Sequence, residues 1–200
     1  DELKVSELGY VLPYTALHGA LQQALRQSDI ASVYGAAVSD LSSSNDSAII
    51  TYRHHGEKHT LTARLAVVAD GGKLLEASHP PQVQDYGQSA LIAHVTSAQP
   101  CNGVAFEHFT PQGPMALLPY LDGYELVLTA SHKAAQDMLT WDDASFLQYL
   151  QEHFGDRAGV FTGVGKRSCF PLRLKRAPDI TFPHTVLIGN AAQTLHPVAG

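Results

Sequence analysis

Two stretches of this sequence carry residue types that could do chemistry at the end of a strand. They are "VVADGG" at 67–72 and "LIGNAAQTLHPVAG" at 187–200. In the first, an apolar strand delivers a carboxylate, Asp70, onto a turn made by Gly71 and Gly72. Glycines there let a ligand come close to the backbone. The same letters also fit a plain Asp-Gly turn. In the second, an apolar strand ends at Gly189, followed by Asn190 and two alanines. Asn190 is placed to cap a helix beginning at Ala191. The free N–H groups of such a helix suit a phosphate or an anionic ring edge. Pro197 and Gly200 would shape a loop after its first turn. A capped strand-to-helix turn without a ligand is the alternative.

These stretches need elements to hold them. "YTALHGALQQALRQS" places Leu17, Leu21, Ala24, Leu25 and Ser28 on one helical face, with Pro13 just before the start. "SVYGAAVSDL" reads as a strand, and "AIITYRHH" with "KHTLTA" as a hairpin around Gly56. "HPPQ" at 79–82 is a linker signal. Strand-like runs follow it, the strongest hairpin being "ALLPY-LDG-YELVLTA", where Asp122-Gly123 suits a tight turn. Two helices come next, the second opening on Asp142 and Asp143 with Phe146, Leu147, Leu150 and Phe154 as its apolar stripe. "KRSCFPLRL" and "HTVLIGN" return as strands. Strands thus fall in two blocks. Residues 1–78 and 178–200 form one expected domain, with 79–177 inserted into it.

Composition narrows the classes. A net charge of −6 argues against a general nucleic-acid binder. Lys166, Arg167, Arg173, Lys175 and Arg176 nevertheless gather in one short stretch. They read as a solvated strand edge, or as a patch facing anionic lipid or phosphate. Cys101 and Cys169 have no metal spacing and suggest a reducing, cytoplasmic setting. No apolar run is long enough to span a bilayer as a helix. His54, His55 and His59 lie close in sequence, but strand alternation would send His54 and His55 to opposite faces, so no metal is expected.

Taken together, "VVADGG" and "LIGNAAQTLHPVAG" resemble two of the three signature motifs of class A flavoprotein monooxygenases, the aromatic hydroxylases. "FEHFTPQGPMALLP" and "FPLRLKRA" further resemble the ubiquinone-biosynthesis branch, as does Asn190 where most relatives have Asp. The resemblance implies an α/β (α+β) fold, part of a Rossmann-like FAD-binding domain with an inserted antiparallel-sheet substrate domain. It implies FAD contacts at Asp70, Gly71, Gly189, Asn190, Pro197 and Gly200. NAD(P)H would be the reductant, and a helix from Ala191 would aim its positive end at the flavin. Phe106, His108, Leu118 and Pro119 would contact the substrate, a prenylated phenol, with Phe106, Phe109, Leu117 and Leu118 lining an apolar pocket. His108 stands where many relatives have Arg. Leu74 stands where the family usually has Ser. The family's first motif, GxGxxG, lies upstream in relatives and does not occur in these 200 residues. The chain therefore reads as a fragment, inactive alone and short of the adenine half-site. Peripheral contact with the inner membrane and a ubiquinone-biosynthesis complex are further implied partners, and nucleic acid is not. The resemblance names no acid–base residue, because the flavin carries the oxygen chemistry. A non-catalytic module that binds lipid or protein, or another flavoenzyme of the same architecture, remains the alternative.

Overall fold

The computed structural model describes residue 7 and residues 9–196. In chain order the elements are α1 (Tyr14–Arg26), β1 (Ala37–Ser43), β2 (Ala48–His54), β3 (Glu57–Ala63) and β4 (Ala66–Val68). Next come β5 (Gln82–Ser97), β6 (Phe106–Thr110), β7 (Gly113–Tyr120) and β8 (Gly123–Ser131). Helices α2 (His132–Thr140) and α3 (Asp143–Phe154) follow. The last strands are β9 (Phe161–Val164), β10 (Ser168–Arg176), β11 (Thr181–Phe182), β12 (Thr185–Leu187) and β13 (Gln193–Thr194). The chain divides into two compact units. One comprises 1–30 and 87–172, the other 31–86 and 173–200. The sequence reading divides the chain at 78/79 and 177/178. Of the three observed divisions, 86/87 and 172/173 fall inside the long strands β5 and β10 rather than at the proline linker, and 30/31 falls between α1 and β1.

The first unit is built on antiparallel strands β5, β8, β7 and β6, in that order, with β9 also against β5. In-register pairing puts Leu91, Leu128, Met115 and His108 in one row, and Ile92, Val127, Ala116 and Glu107 in the next. Side chains alternate across a sheet, so these rows face opposite ways. The first face is the core: Leu91, Val95, Leu117, Leu126 and Leu128 pack with Met138, Phe146 and Leu150 from the two helices. The other face carries Ile92, Val127, Ala116 and Leu118, only partly covered.

Local chemistry explains the punctuation. Asp142 caps α3 by accepting from the Ser145 N–H at 2.7 Å. Phe146, Leu150 and Phe154 of the expected stripe are buried, and Leu147 is packed at its border. The β7–β8 turn is centred one residue earlier than Asp122-Gly123. Tyr120 pairs with Gly123, and Leu121 takes a left-handed φ of +50°. Gly123 instead opens β8, pressed so closely on the Val95 carbonyl that a Cβ would collide with it. Helix α1 forms where expected, but it buries none of its residues, and Leu17 and Leu21 stay exposed.

The second unit holds the β1–β2–β3 antiparallel meander and a small sheet in the order β11, β12, β4. Its core is Val68, Ala177, Leu187 and Ala191. The β2–β3 turn is His55-Gly56, both with positive φ, as two-residue hairpins require. Because His55 leaves the strand there, alternation does not separate it from His54. Their rings lie 4.1 Å apart, centroid to centroid.

Candidate functional site

Strands β4 and β12 run parallel, with Val68 opposite Leu187, and the Ile188 N–H donates to the Val68 carbonyl at 3.0 Å. The two signature stretches therefore leave the sheet side by side, from the carboxyl ends of neighbouring parallel strands. In open α/β sheets, ligands bind at such ends.

After β4, Asp70 folds its carboxylate back over its own loop. Oδ1 accepts from the Gly72 N–H and Oδ2 from the Leu74 N–H, each at 2.8 Å. Asp70 thus shapes the turn, and Gly71 and Gly72 supply the left-handed φ values of +79° and +89° that it needs. Leu74 enters this network through its backbone, which any residue provides. After β12, Gly189 turns with φ +57°. Gly72 packs on Ala191, where a Cβ at position 72 would meet the Ala191 Cα and carbonyl oxygen at 3.5 Å.

The expected helix from Ala191 does not form. Gly189–Ala191 makes a single tight turn whose cap position is Ile188, so Asn190 lies inside the turn rather than at its start. The reason lies in β10. The Ala177 N–H donates to the Ala192 carbonyl at 2.9 Å, and Gln193 and Thr194 then pair with Arg176 and Lys175. An edge strand captures the backbone that the helix would have used. Asn190 remains exposed beside the loop. Pro197 and Gly200 lie outside the described residues.

The basic stretch separates into different roles. Arg167 is largely buried and donates to the carbonyls of Met138 at 3.1 Å and Trp141 at 2.7 Å, and to Asp143 at 3.0 Å. It also lies over the Phe146 ring at 5.0 Å. It is a staple between α2 and α3, not part of a surface patch. Arg173 pairs with Asp85 and Lys175 with Glu76, each at 3.2 Å. Lys175 matters for the site: its Nζ lies 3.8 Å from where a Gly72 Cβ would stand. In the sequence Lys175 stands only in a charge run. Its register opposite Thr194 is what brings it to the loops.

The four expected substrate residues do not share a surface. Phe106 pairs with Leu117, His108 with Met115 and Pro119 with Tyr124, all on the helix-covered face, and Leu117 is fully buried. His108 stacks edgewise on Phe154 of α3. Leu118 lies on the opposite, open face with Ile92 and Val127, and Phe109, also on that face, is strongly exposed. Of the four residues expected to line one pocket, Phe106 and Phe109 border one groove with His108 and Phe154, while Leu117 and Leu118 lie on opposite faces of β7 outside it. His94, also on the open face, holds Glu125 through Nδ1 at 3.1 Å and Asp122 through Nε2 at 3.0 Å. Among the described residues, no group of three or more His, Cys, Asp or Glu is placed to hold a metal ion. No helix among them is long and apolar enough to cross a membrane.

Similarity to known proteins bears on this geometry. No family model matches the chain. The chain is 34% identical to the ubiquinone hydroxylase UbiL of Rhodospirillum rubrum, over 70% of its own length and 34% of that protein. It is 30% identical to the 3-demethoxyubiquinol 3-hydroxylase of Escherichia coli, over 100% of its own length and 51% of that protein. The chain thus spans about half, or less, of the length of these relatives. Among solved structures, a flavoprotein/dehydrogenase from Cytophaga hutchinsonii aligns over 95% of this chain and 50% of its own, with TM-score 0.70 and 14% identity. The flavin-dependent halogenase CmlS aligns over 92% of this chain and 36% of its own, with TM-score 0.69 and 16% identity. The chain is a relative of the ubiquinone-biosynthesis hydroxylases and carries the fold of the flavin-dependent hydroxylases and halogenases.

Proposed function

We propose that this chain is part of an FAD-dependent monooxygenase that hydroxylates a prenylated phenol in ubiquinone biosynthesis, with NAD(P)H as reductant. One observation carries the reading: the Asp70-Gly71-Gly72 and Gly189-Asn190 loops emerge together from neighbouring parallel strands. The names of the similar proteins support it. The E. coli relative supports a ring hydroxylation generally. The wording around Asn190 favours the 2-octaprenyl-6-methoxyphenol hydroxylase type.

The residues present fit a dinucleotide-type cofactor. The glycines leave room for close approach, Asn190 offers a side-chain donor and acceptor, and Lys175 adds a cation beside the loop. When bound, FAD supplies the redox and oxygen chemistry. Asp70 holds its loop in shape, and Gly189 and Asn190 would hold the ribityl or phosphate part of the cofactor. In the other unit, Ile92, Ala116, Leu118 and Val127 offer a largely apolar sheet face for the prenylated ring. Association with a membrane surface or a biosynthetic complex would bring a lipid-soluble substrate to it.

The test is an assay of the polypeptide encoded by its gene. With a prenylated phenol it should consume NAD(P)H and oxygen together and yield hydroxylated ring. Turnover independent of oxygen would sink the hydroxylase reading and favour a dehydrogenase.

A further inference from the structure

The outer side of α3 carries an open groove of about 460 Å³, lined by Trp141, Asp142, Ser145, Gln148, Tyr149 and Glu152 among others. It lies in the first unit, and nothing in the proposed reaction uses it. Trp141 and Tyr149 form its corner, their ring centroids 5.6 Å apart and their planes at 72°. Two aromatic walls near a right angle present negative π-faces to one volume, and such a corner attracts an organic cation.

Three further features suit a cation. Glu152 stands one helical turn beyond Tyr149, and its Oε1 accepts from the Gln148 Nε2 at 2.9 Å, which orients the carboxylate. Asp142 stays ionised because the backbone N–H of Ser145 holds its carboxyl below the ordinary value. Among the described residues no Lys or Arg lines the groove, and the nearby Arg167 is already paired with Asp143.

The corner is also preformed. Arg167 holds the Trp141 carbonyl from the core side at 2.7 Å. His153 stacks against Tyr149 at 4.1 Å and bonds its carbonyl at 2.8 Å through Nδ1. Rings fixed in advance lose little entropy when a ligand arrives. Burial raises the Tyr149 phenol above its usual range, so the ring stays neutral.

We infer that this groove binds an arginine side chain presented by a partner protein. A guanidinium is planar, stacks on aromatic faces and pairs with carboxylates through its fork of N–H donors. The groove is open rather than enclosed, which admits a side chain carried on an extended segment. Its two carboxylates complement a basic partner.

Trp141 is the single tryptophan of these 200 residues, and the difference in emission between the polypeptide encoded by the gene and its Trp141→Phe variant reports this corner. That polypeptide is titrated with acetyl-Arg-Gly-Arg-amide, and with acetyl-Glu-Gly-Glu-amide as control. The arginine peptide should change Trp141 emission saturably, and added salt should weaken it. Glu152→Gln and Tyr149→Leu, both keeping Trp141 and checked for fold by circular dichroism, should weaken binding about fivefold or more. No saturable change, an equal response to the glutamate peptide, or unaltered affinity in both variants would overturn the inference. A response to phosphatidylcholine vesicles but not to the arginine peptide would overturn it in favour of a lipid headgroup.

Discussion

Gly72 rests on Ala191, the backbone of one signature loop against the backbone of the other, with 3.5 Å left for a Cβ that is absent. That space is ordinary van der Waals contact, so Gly72→Ala fits sterically. Its cost comes from φ +89°, and about 1–2 kcal/mol of stability should be lost. Gly123→Ala is the converse: it needs no left-handed backbone, but its Cβ would run into the Val95 carbonyl. Denaturant midpoints should show the larger loss at Gly123, with β5 and β8 forced apart.

Neighbouring leucines on β7 should behave differently. Leu117 is fully buried, so Leu117→Ala should cost about 2–5 kcal/mol. Leu118 faces the other way, so Leu118→Ala should cost less than about 1 kcal/mol and instead raise KM for a prenylated phenol. Equilibrium unfolding and steady-state kinetics on the two variants separate these effects.

Arg167 donates to two carbonyls and a carboxylate from a largely buried position. Arg167→Met should lose about 2–3 kcal/mol, because the Met138 and Trp141 carbonyls lose their charged donor. Arg167→Lys should recover only part, since a single ammonium does not reproduce the planar fork. Thermal unfolding of both variants checks the order.

Acid should weaken the start of α3. The Ser145 backbone N–H, first, and its hydroxyl hold the Asp142 carboxyl below the ordinary value of 3.8. A group depressed in the folded state adds stability that is present above the unfolded value and lost as pH falls through the folded one. Asp142→Asn keeps a good cap. It should leave stability near neutrality almost unchanged and flatten the loss below pH 3.8. An identical acid limb in both proteins, followed by circular dichroism, would contradict this.

Much of the fold was legible because it rests on local rules. The α3 stripe, the acidic start of that helix at Asp142 and Asp143, and the β2–β3 and β7–β8 hairpins follow from periodicity, the helix dipole and turn chemistry; that Asp142 is the cap came from the structure. What the sequence hid depends on pairing between distant strands. The segment after Asn190 has the letters of a helix start, yet β10 offers it an edge, and the ladder wins. Arg167 and Arg173 look alike in a charge run, and only the packing of α2 against α3 tells a staple from a surface pair. Phe106, His108, Leu118 and Pro119 were close in sequence, but which face each takes is set by register, and register placed Leu118 alone on the open side. The adjacency of Asp70-Gly71 and Gly189-Asn190 was suggested by motif resemblance, while its physical cause is the parallel pairing of β4 with β12.

If these two loops hold a flavin, FAD content decides it, read from absorbance near the flavin bands for the polypeptide encoded by the gene and for its Gly189→Val variant. Wild type should carry close to one FAD per polypeptide. A β-branched residue at φ +57° should cut flavin affinity at least about tenfold while circular dichroism stays unchanged. Equal flavin binding in both proteins, or none in the wild type, would contradict it.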